Sequence, residues 1–311
     1  MPRIVTMIAS ATEIVCALGF ERDIVARSHE CDYPPSVKRL PVCTAPKFDI
    51  HGSSLEIDRR VKSLLEQASS IYQVDAEMLE QVHPEVIVTQ SHCEVCAVSD
   101  KDVEHALHSV PRGVDGSPAP RIISLAPNNL AEVWQSIRNV ADVLGVSSRG
   151  AEVVHALRAR VKAITDRALI ISERPTVACL EWLNPLMAAG NWVPELVELA
   201  GGRNVVGAAG KHSPWLTWEQ LGDLDPMFVI ALPCGFDLHT TRMEMENLRA
   251  HPIWRNLQAV RNGRVFITDG NQFFNRPGPR LVESLEIFAE ILHPDKFVFG
   301  HEGTGWERYP G

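Results

Sequence analysis

Two groups of residues in this chain have the types and spacing to do chemistry. The first is a set of soft ligands: Cys93-x-x-Cys96 has metal-ligand spacing, His92 stands beside it, and His29 and Cys31 follow a neighbouring predicted strand. Cys31, His92, Cys93 and Cys96 would together complete a four-ligand site, since zinc and iron take thiolate and imidazole. The same residues also read as small, half-buried side chains at strand ends, and one Cys-x-x-Cys is compatible with both readings. The second group is aromatic. Tyr33, Trp182, Trp192, Phe236, Phe273 and Phe274 fall in segments that follow predicted strands, and Trp215 in a further candidate loop at 212–218, although aromatics are only 6% of the chain. That concentration suits a large flat ligand gripped by ring faces, with some of the rings packing under loops as ordinary core. Other catalytic machinery is thin. There is no Gly-x-Ser-x-Gly, no His-Glu-x-x-His, no phosphate-cradling glycine loop and no dinucleotide fingerprint. The expectation is a binding protein and not an enzyme. The competing reading is a cytoplasmic metal-binding protein or enzyme that uses Cys31, His92, Cys93 and Cys96.

These residues need elements that bring them together. Residues 3–9, 24–28, 83–89 and 121–125 read as short buried strands, each delivering one of the candidate loops. Ser10 or Thr12 can cap a helix that ends near Gly19, and Pro34 and Pro35 stop the chain after Tyr33. Further helices are expected over 55–68, 76–82, 100–108 and 130–144. From 147 to 172 the apolar residues Val153, Leu157, Val161, Ile164 and Ala168 keep helical spacing, which predicts one long connecting helix. The second half then repeats the grammar of the first. The helix at 189–202 parallels the one at 10–19, with Glu195 standing where Glu13 stands. Residues 221–232 parallel 79–89, each with a proline before a strand. Arg264–Ile267 parallels Arg121–Ser124, and 281–292 parallels 130–144. Strands alternating with helices predict an α/β fold of two lobes, each a parallel sheet covered by helices: 1–146, the connecting helix 147–172, and 173–311. Ligands of such sheets bind beyond the carboxyl ends of the strands, so the cleft between the lobes is the expected site.

Composition narrows the partners. The 311 residues are 45% hydrophobic and 22% charged, with a net charge of -9. That balance is globular and excludes the basic face a nucleic acid would need. No run of eighteen apolar residues is present, so no membrane insertion is expected. The opening Met-Pro-Arg-Ile-Val-Thr-Met lacks the long apolar core and cleavage site of an export signal. Its expected location is the cytoplasm, or the periplasm if a leader was removed.

Several of these stretches carry a resemblance. Ser10-Ala-Thr-Glu-Ile-Val-Cys-Ala-Leu-Gly19, Asp32-Tyr-Pro-Pro35, Gly190 to Gly202, Ser213-Pro-Trp215 and Asn275-Arg-Pro-Gly-Pro-Arg280 resemble the class III substrate-binding proteins for vitamin B12, haem and ferric siderophores. The match runs from Arg3 to about Pro294 and looks nearest to the cobalamin-binding branch. The resemblance implies two α/β lobes on one rigid helix, a shallow cleft, and a corrinoid or related metal chelate as ligand. It places Tyr33, Trp182, Trp215 and Arg276 against that ligand. The equivalent placement of Glu13 and Glu195 in the two halves suits docking to a partner, an ABC permease for a transport receptor, and equally suits solvated helix carboxylates. The acidic residue that the family carries near the last loop is Gln272 here.

Overall fold

Short runs of β-branched and apolar residues build the first sheet. In the computed structural model, which describes residues 1–66, 71–91, 102–103, 106 and 119–310, β1 (Ile4–Thr6) is wholly buried and leads directly into the helix Ala9–Ala17. β2 (Ile24–Arg27) runs parallel to β1. A small antiparallel pair, β3 (Thr44–Pro46) and β4 (Tyr72–Val74), stands apart from that sheet. β5 (Val86–Gln90) and β6 (Arg121–Leu125) complete a parallel sheet in the order β2-β1-β5-β6. All five residues of β5 are buried, as expected of a parallel strand covered on both faces. Val5, Met7, Ala26, Ile71, Leu79 and Ile87 form the core beside it. Full burial of one such side chain is worth about 1.5–3 kcal/mol.

Helices cover this sheet, among them Ala76–Val82, which Asp75 caps by accepting from Met78 N at 2.9 Å, and Leu130–Val143. The helix Ser147–Leu169 is continuous over 23 residues. Gly150 is no hinge. A Cβ there would lie 2.4 Å from Ala141 Cβ, so the glycine lets this helix press against Leu130–Val143.

The chain divides into two compact units: Met1–Gly52, Arg59–Pro127 and Ala131–His155 form the first, and Ser53–Asp58, Asn128–Leu130 and Ala156–Gly311 the second. The second unit is built on β7 (Thr176–Leu183), β8 (Leu186–Ala188), β9 (Arg203–Asn204), β10 (Phe228–Ala231), β11 (Val265–Thr268) and β12 (Trp306–Arg308). Its order is β12-β11-β10-β7-β8, with β9 also on β7. The parallel strands β9-β7-β10-β11 repeat the order β2-β1-β5-β6 of the first unit. What the duplication does not carry is the pair of antiparallel edges, β8 and β12. Helices Val193–Leu199, Trp218–Leu224, Leu238–Arg249 and Leu281–Leu292 flank the sheet. Among the described residues no helix is long and apolar enough to cross a membrane.

The last residues are structured. Phe297, Trp306 and Tyr309 are buried, and β12 pairs with β11. His301 Nε2 lies 2.9 Å from Glu286 Oε2, and Arg160 lies 2.7 Å from the other oxygen of the same carboxyl. The bond to Glu286 raises the His301 pKa above its usual 6.5 against the opposing effect of burial. Burial pushes the Glu286 carboxyl up, but His301 and Arg160 outweigh it and hold it below the usual 4.5. A histidine with a raised pKa contributes stability that is complete below 6.5 and is lost as pH rises through the raised value. The lowered Glu286 contributes above 4.5 and is lost as pH falls through its own value. Urea midpoints of the wild type and His301→Leu should therefore differ most between these two limits and converge on the alkaline side. A difference that persisted unchanged to alkaline pH would show that the ion pair contributes nothing.

Candidate functional site

In the first unit the strand ends are occupied by internal bonds. The hydroxyls of Thr6 and Thr12 share a 2.7 Å hydrogen bond, and the Cys31 thiol donates weakly to Thr6 O at 3.9 Å. Cys31 is fully buried, and burial pushes its thiol up to about 11. His29 Nδ1 sits 2.7 Å from Thr44 Oγ1, with the ring 5.6 Å from that of Tyr72. Burial and Arg27 lower its pKa. His29 and Cys31 thus serve separate local networks. Among the described residues no three His, Cys, Asp or Glu side chains are grouped to hold a metal ion. His92, Cys93 and Cys96, the remainder of the expected zinc or iron cluster, lie outside the described residues. Tyr33 remains 40% exposed on its proline-rich turn.

In the second unit the ends of β7, β10 and β11 carry the loops that matter. Ser213 Oγ donates to Glu181 Oε2 at 2.9 Å and accepts from Gly190 N at 3.1 Å, fixing the segment 213–215 beside β8. A Cβ on Gly190 would meet Lys211 O at 2.4 Å, so only glycine lets the chain approach here. Asn275 Nδ2 donates to Leu232 O and Gly270 O, each at 3.0 Å, and Asn271 N donates to Phe236 O at 3.1 Å. These bonds lash the β11 loop to the β10 loop. Arg276, a buried cation, donates to Asn271 Oδ1 at 3.2 Å. Burial raises the nearby Asp269 carboxyl above its usual range against the pull of Gln272 and Arg276.

Trp182 and Phe236 are brought together by this framework, with Arg276 on the adjoining β11 loop. The Phe236 ring lies 5.3 Å from Trp182 at 50°, and Trp182 Nε1 donates to Ser54 O at 3.2 Å. Ser54 is itself held by Glu244, through its amide at 3.0 Å and its hydroxyl. The strand register adds a residue that the sequence pattern does not single out. Trp182 pairs with Met187 across the β7–β8 hairpin, and Met187 pairs with Trp215. Cross-strand partners share a face. Leu183, Leu186 and Ala188 fill the core behind, while Trp182 and Met187 are half-buried and Trp215 is 56% exposed. The signal for it lies in the two residues, Asn184 and Pro185, that separate Leu183 from Leu186 as a hairpin turn.

Four of the expected rings are buried: Phe236, at 7% exposure, packs behind Trp182, and the other three turn to the core instead. Trp192 is 5% exposed and donates its indole N–H to Phe274 O at 2.6 Å. Phe274 is fully buried against Phe288, with ring centres 4.9 Å apart. Phe273 is buried beneath Arg280, whose guanidinium lies 4.6 Å from the ring centre. In the tight turn after β11, Phe274 adopts φ 55° and packs back on the helix Leu281–Leu292, its N–H donating to Ser284 Oγ at 3.0 Å. Glu13 and Glu195 are not presented as a surface pair either. Glu13 is 4% exposed, and Glu195 Oε2 accepts from Leu130 N at 3.2 Å.

This constellation holds rings, a thioether and a buried cation on one rigid sheet end, which describes a site for noncovalent binding of a ligand with flat apolar surface. The chain belongs to the periplasmic binding protein family, which its residues 4–271 match. It is a solute-binding protein and not an enzyme. It is 22% identical over 303 residues to YvrC of Bacillus subtilis (strain 168), an uncharacterized ABC transporter substrate-binding lipoprotein, covering 95% of this chain and 81% of that one. Its fold is similar to that of a periplasmic heme binding protein from Pseudomonas aeruginosa, with a TM-score of 0.70 and 20% identity over 95% of this chain and 94% of that one. It is also similar to the periplasmic vitamin B12 binding protein BtuF of Vibrio cholerae, with a TM-score of 0.64 and 18% identity over 94% and 96% of the two chains.

Proposed function

We propose that the protein binds a flat metal chelate, a corrinoid such as cobalamin or a haem, on the face that carries Trp182 and Trp215, and delivers it to an ABC permease. The observation that carries this reading is the pair of indoles on one face of the β7–β8 hairpin, one of them 56% exposed where every other tryptophan of the described residues is buried or half-buried. Large rings stack on such surfaces. Phe236 backs Trp182, and Arg276 reaches the same loops through Asn271, offering a cation for carboxylates or amides at the ligand rim. Family membership supports a carried solute, and binding proteins named for heme and for vitamin B12 share the fold.

Titration of the purified protein with haemin and with cyanocobalamin tests the proposal. At least one of them should quench tryptophan fluorescence and shift its own visible absorption, with a dissociation constant of about 1 μM or tighter. Neither a spectral shift nor calorimetric heat with both ligands would overturn it.

A further inference from the structure

The register of the indole face puts a methionine between its two tryptophans. Ala188 N donates to Pro214 O and Leu216 N to Leu186 O, both at 2.9 Å, so Met187 and Trp215 form the pair between two flanking hydrogen bonds. In an antiparallel arrangement that is the close pair, with Cα atoms about 4.5 Å apart and side chains in contact range. On the other side, Met187 is the direct partner of Trp182, just past an irregularity between Leu180 and Trp182. Bulged strands of this kind re-aim side chains at sites. The three residues therefore form a row of indole, thioether and indole. Neighbouring strands are about 4.8 Å apart, so the row spans roughly 10 Å, a width comparable to that of a tetrapyrrole ring. A ring seated on both indoles would have its centre over Met187.

Leucine would fill the half-buried position of Met187 with nearly the same volume. What leucine lacks is a polarizable sulfur lone pair, the donor that soft metal centres select and that serves as an axial ligand to haem iron. We infer that Met187 gives its thioether sulfur to the iron of a planar porphyrin-type chelate seated on Trp182 and Trp215, so that the face selects an iron-loaded ring over the same ring without metal. The inference rests on the chelate-binding reading above. On binding, the sulfur lone pair occupies an axial position, the water or hydroxide there leaves to solvent, and the iron keeps its oxidation state. Arg276 is connected through Asn271 to Phe236 and so to Trp182, and it supplies the complementary charge for the acidic groups at the rim of such a ring.

The test compares haemin with metal-free protoporphyrin IX on the wild type, Met187→Leu and Met187→Ala. The wild type should prefer haemin and show the weak near-infrared charge-transfer band of sulfur bound to ferric iron. Met187→Leu should change the affinity for the metal-free ring far less than the affinity for haemin. It should lose haemin affinity on the order of 10-fold, the scale of ligand-level changes at metal sites. The near-infrared band should disappear and the reduction potential of the bound haem should fall, since a methionine ligand raises it. Met187→Ala should weaken both rings by also removing packing. If Met187→Leu leaves the haemin spectrum and the ratio of the two affinities unchanged, the inference is overturned while chelate binding stands. It is likewise overturned if the wild type takes cyanocobalamin but not haemin. If the wild type takes neither, the chelate-binding reading falls and this inference falls with it.

Discussion

Glu290→Ala is expected to give the largest loss of stability of any single side-chain truncation near the carboxyl end of the chain. Glu290 is 4% exposed, on the helix Leu281–Leu292. Its carboxyl accepts the backbone N–H of Phe299, that of Gly300 at 2.6 Å and that of His301 at 3.2 Å, and the indole N–H of Trp306 at 2.8 Å. Each donor left buried without an acceptor costs about 1–3 kcal/mol. The four costs do not add, because the chain from Phe297 onward can detach and let water take the donors. Detachment forfeits instead the burial of Phe297, Trp306 and Tyr309 and the pairing of β12 with β11. Whichever route is cheaper sets the loss, which is expected at about 3–5 kcal/mol, the range for breaking a buried charged network. Urea unfolding followed by near-ultraviolet dichroism would report it, and limited proteolysis would show early cleavage after His293. Glu290→Gln keeps one acceptor oxygen and should fall between. A midpoint within about 0.5 kcal/mol of the wild type, with unchanged proteolysis, would show that the four donors are satisfied otherwise.

The central parallel strands were legible because each is a continuous apolar run buried on both faces, whereas β9, two polar residues at Arg203–Asn204, carries no such signal. β5, β10 and β11 are buried at every residue, and a sequence can announce that without reference to anything distant. The duplication was legible for the same reason, since Pro84 and Pro226 each precede such a strand. Helix Leu238–Arg249 was not, because its sequence Leu-His-Thr-Thr-Arg-Met-Glu-Met-Glu-Asn-Leu-Arg is mostly polar and only Asp237, capping Thr240 N at 2.8 Å, marks its start. Antiparallel β12 depends on Glu290, many residues away.

The site was legible in part. Position after a strand, or for Trp215 in a further candidate loop, put Trp182, Trp192, Trp215, Phe236, Phe273 and Phe274 in one class, yet which way each ring turns depends on a few dihedral angles. Phe274 at φ 55°, and Trp192 hydrogen-bonded to its carbonyl, turn inward. Met187 was not legible from its own type, because a thioether has no spacing rule, and the Asn184-Pro185 turn gives only its register. Only its register between two tryptophans gives it a role.

Trp215→Ala should separate binding from folding. The ring is 56% exposed, so its removal is expected to shift the urea midpoint by no more than about 0.5 kcal/mol. A buried tryptophan in the same unit should behave oppositely. Trp192 is 5% exposed, and its truncation opens a cavity and strands Phe274 O, at a cost of about 3–5 kcal/mol. For ligand binding the order reverses. A tryptophan that stacks on a large ring is the kind of residue whose loss costs about 2 kcal/mol or more in affinity, roughly 30-fold. Trp215→Ala should therefore bind whichever chelate the wild type accepts at least roughly 30-fold more weakly. Trp215→Phe should recover part of that loss, because a smaller ring still offers a face. The measurement is a paired one, with isothermal titration and urea unfolding on the same preparations. Unchanged affinity in Trp215→Ala would remove the outward face of β8 from the binding site whatever the ligand is. A large loss of stability in the same variant would instead make Trp215 structural, with the 56% exposure covering contacts that matter to the fold. The two tryptophans thus give a direct reading of which face of the second unit is turned to the ligand and which to the core.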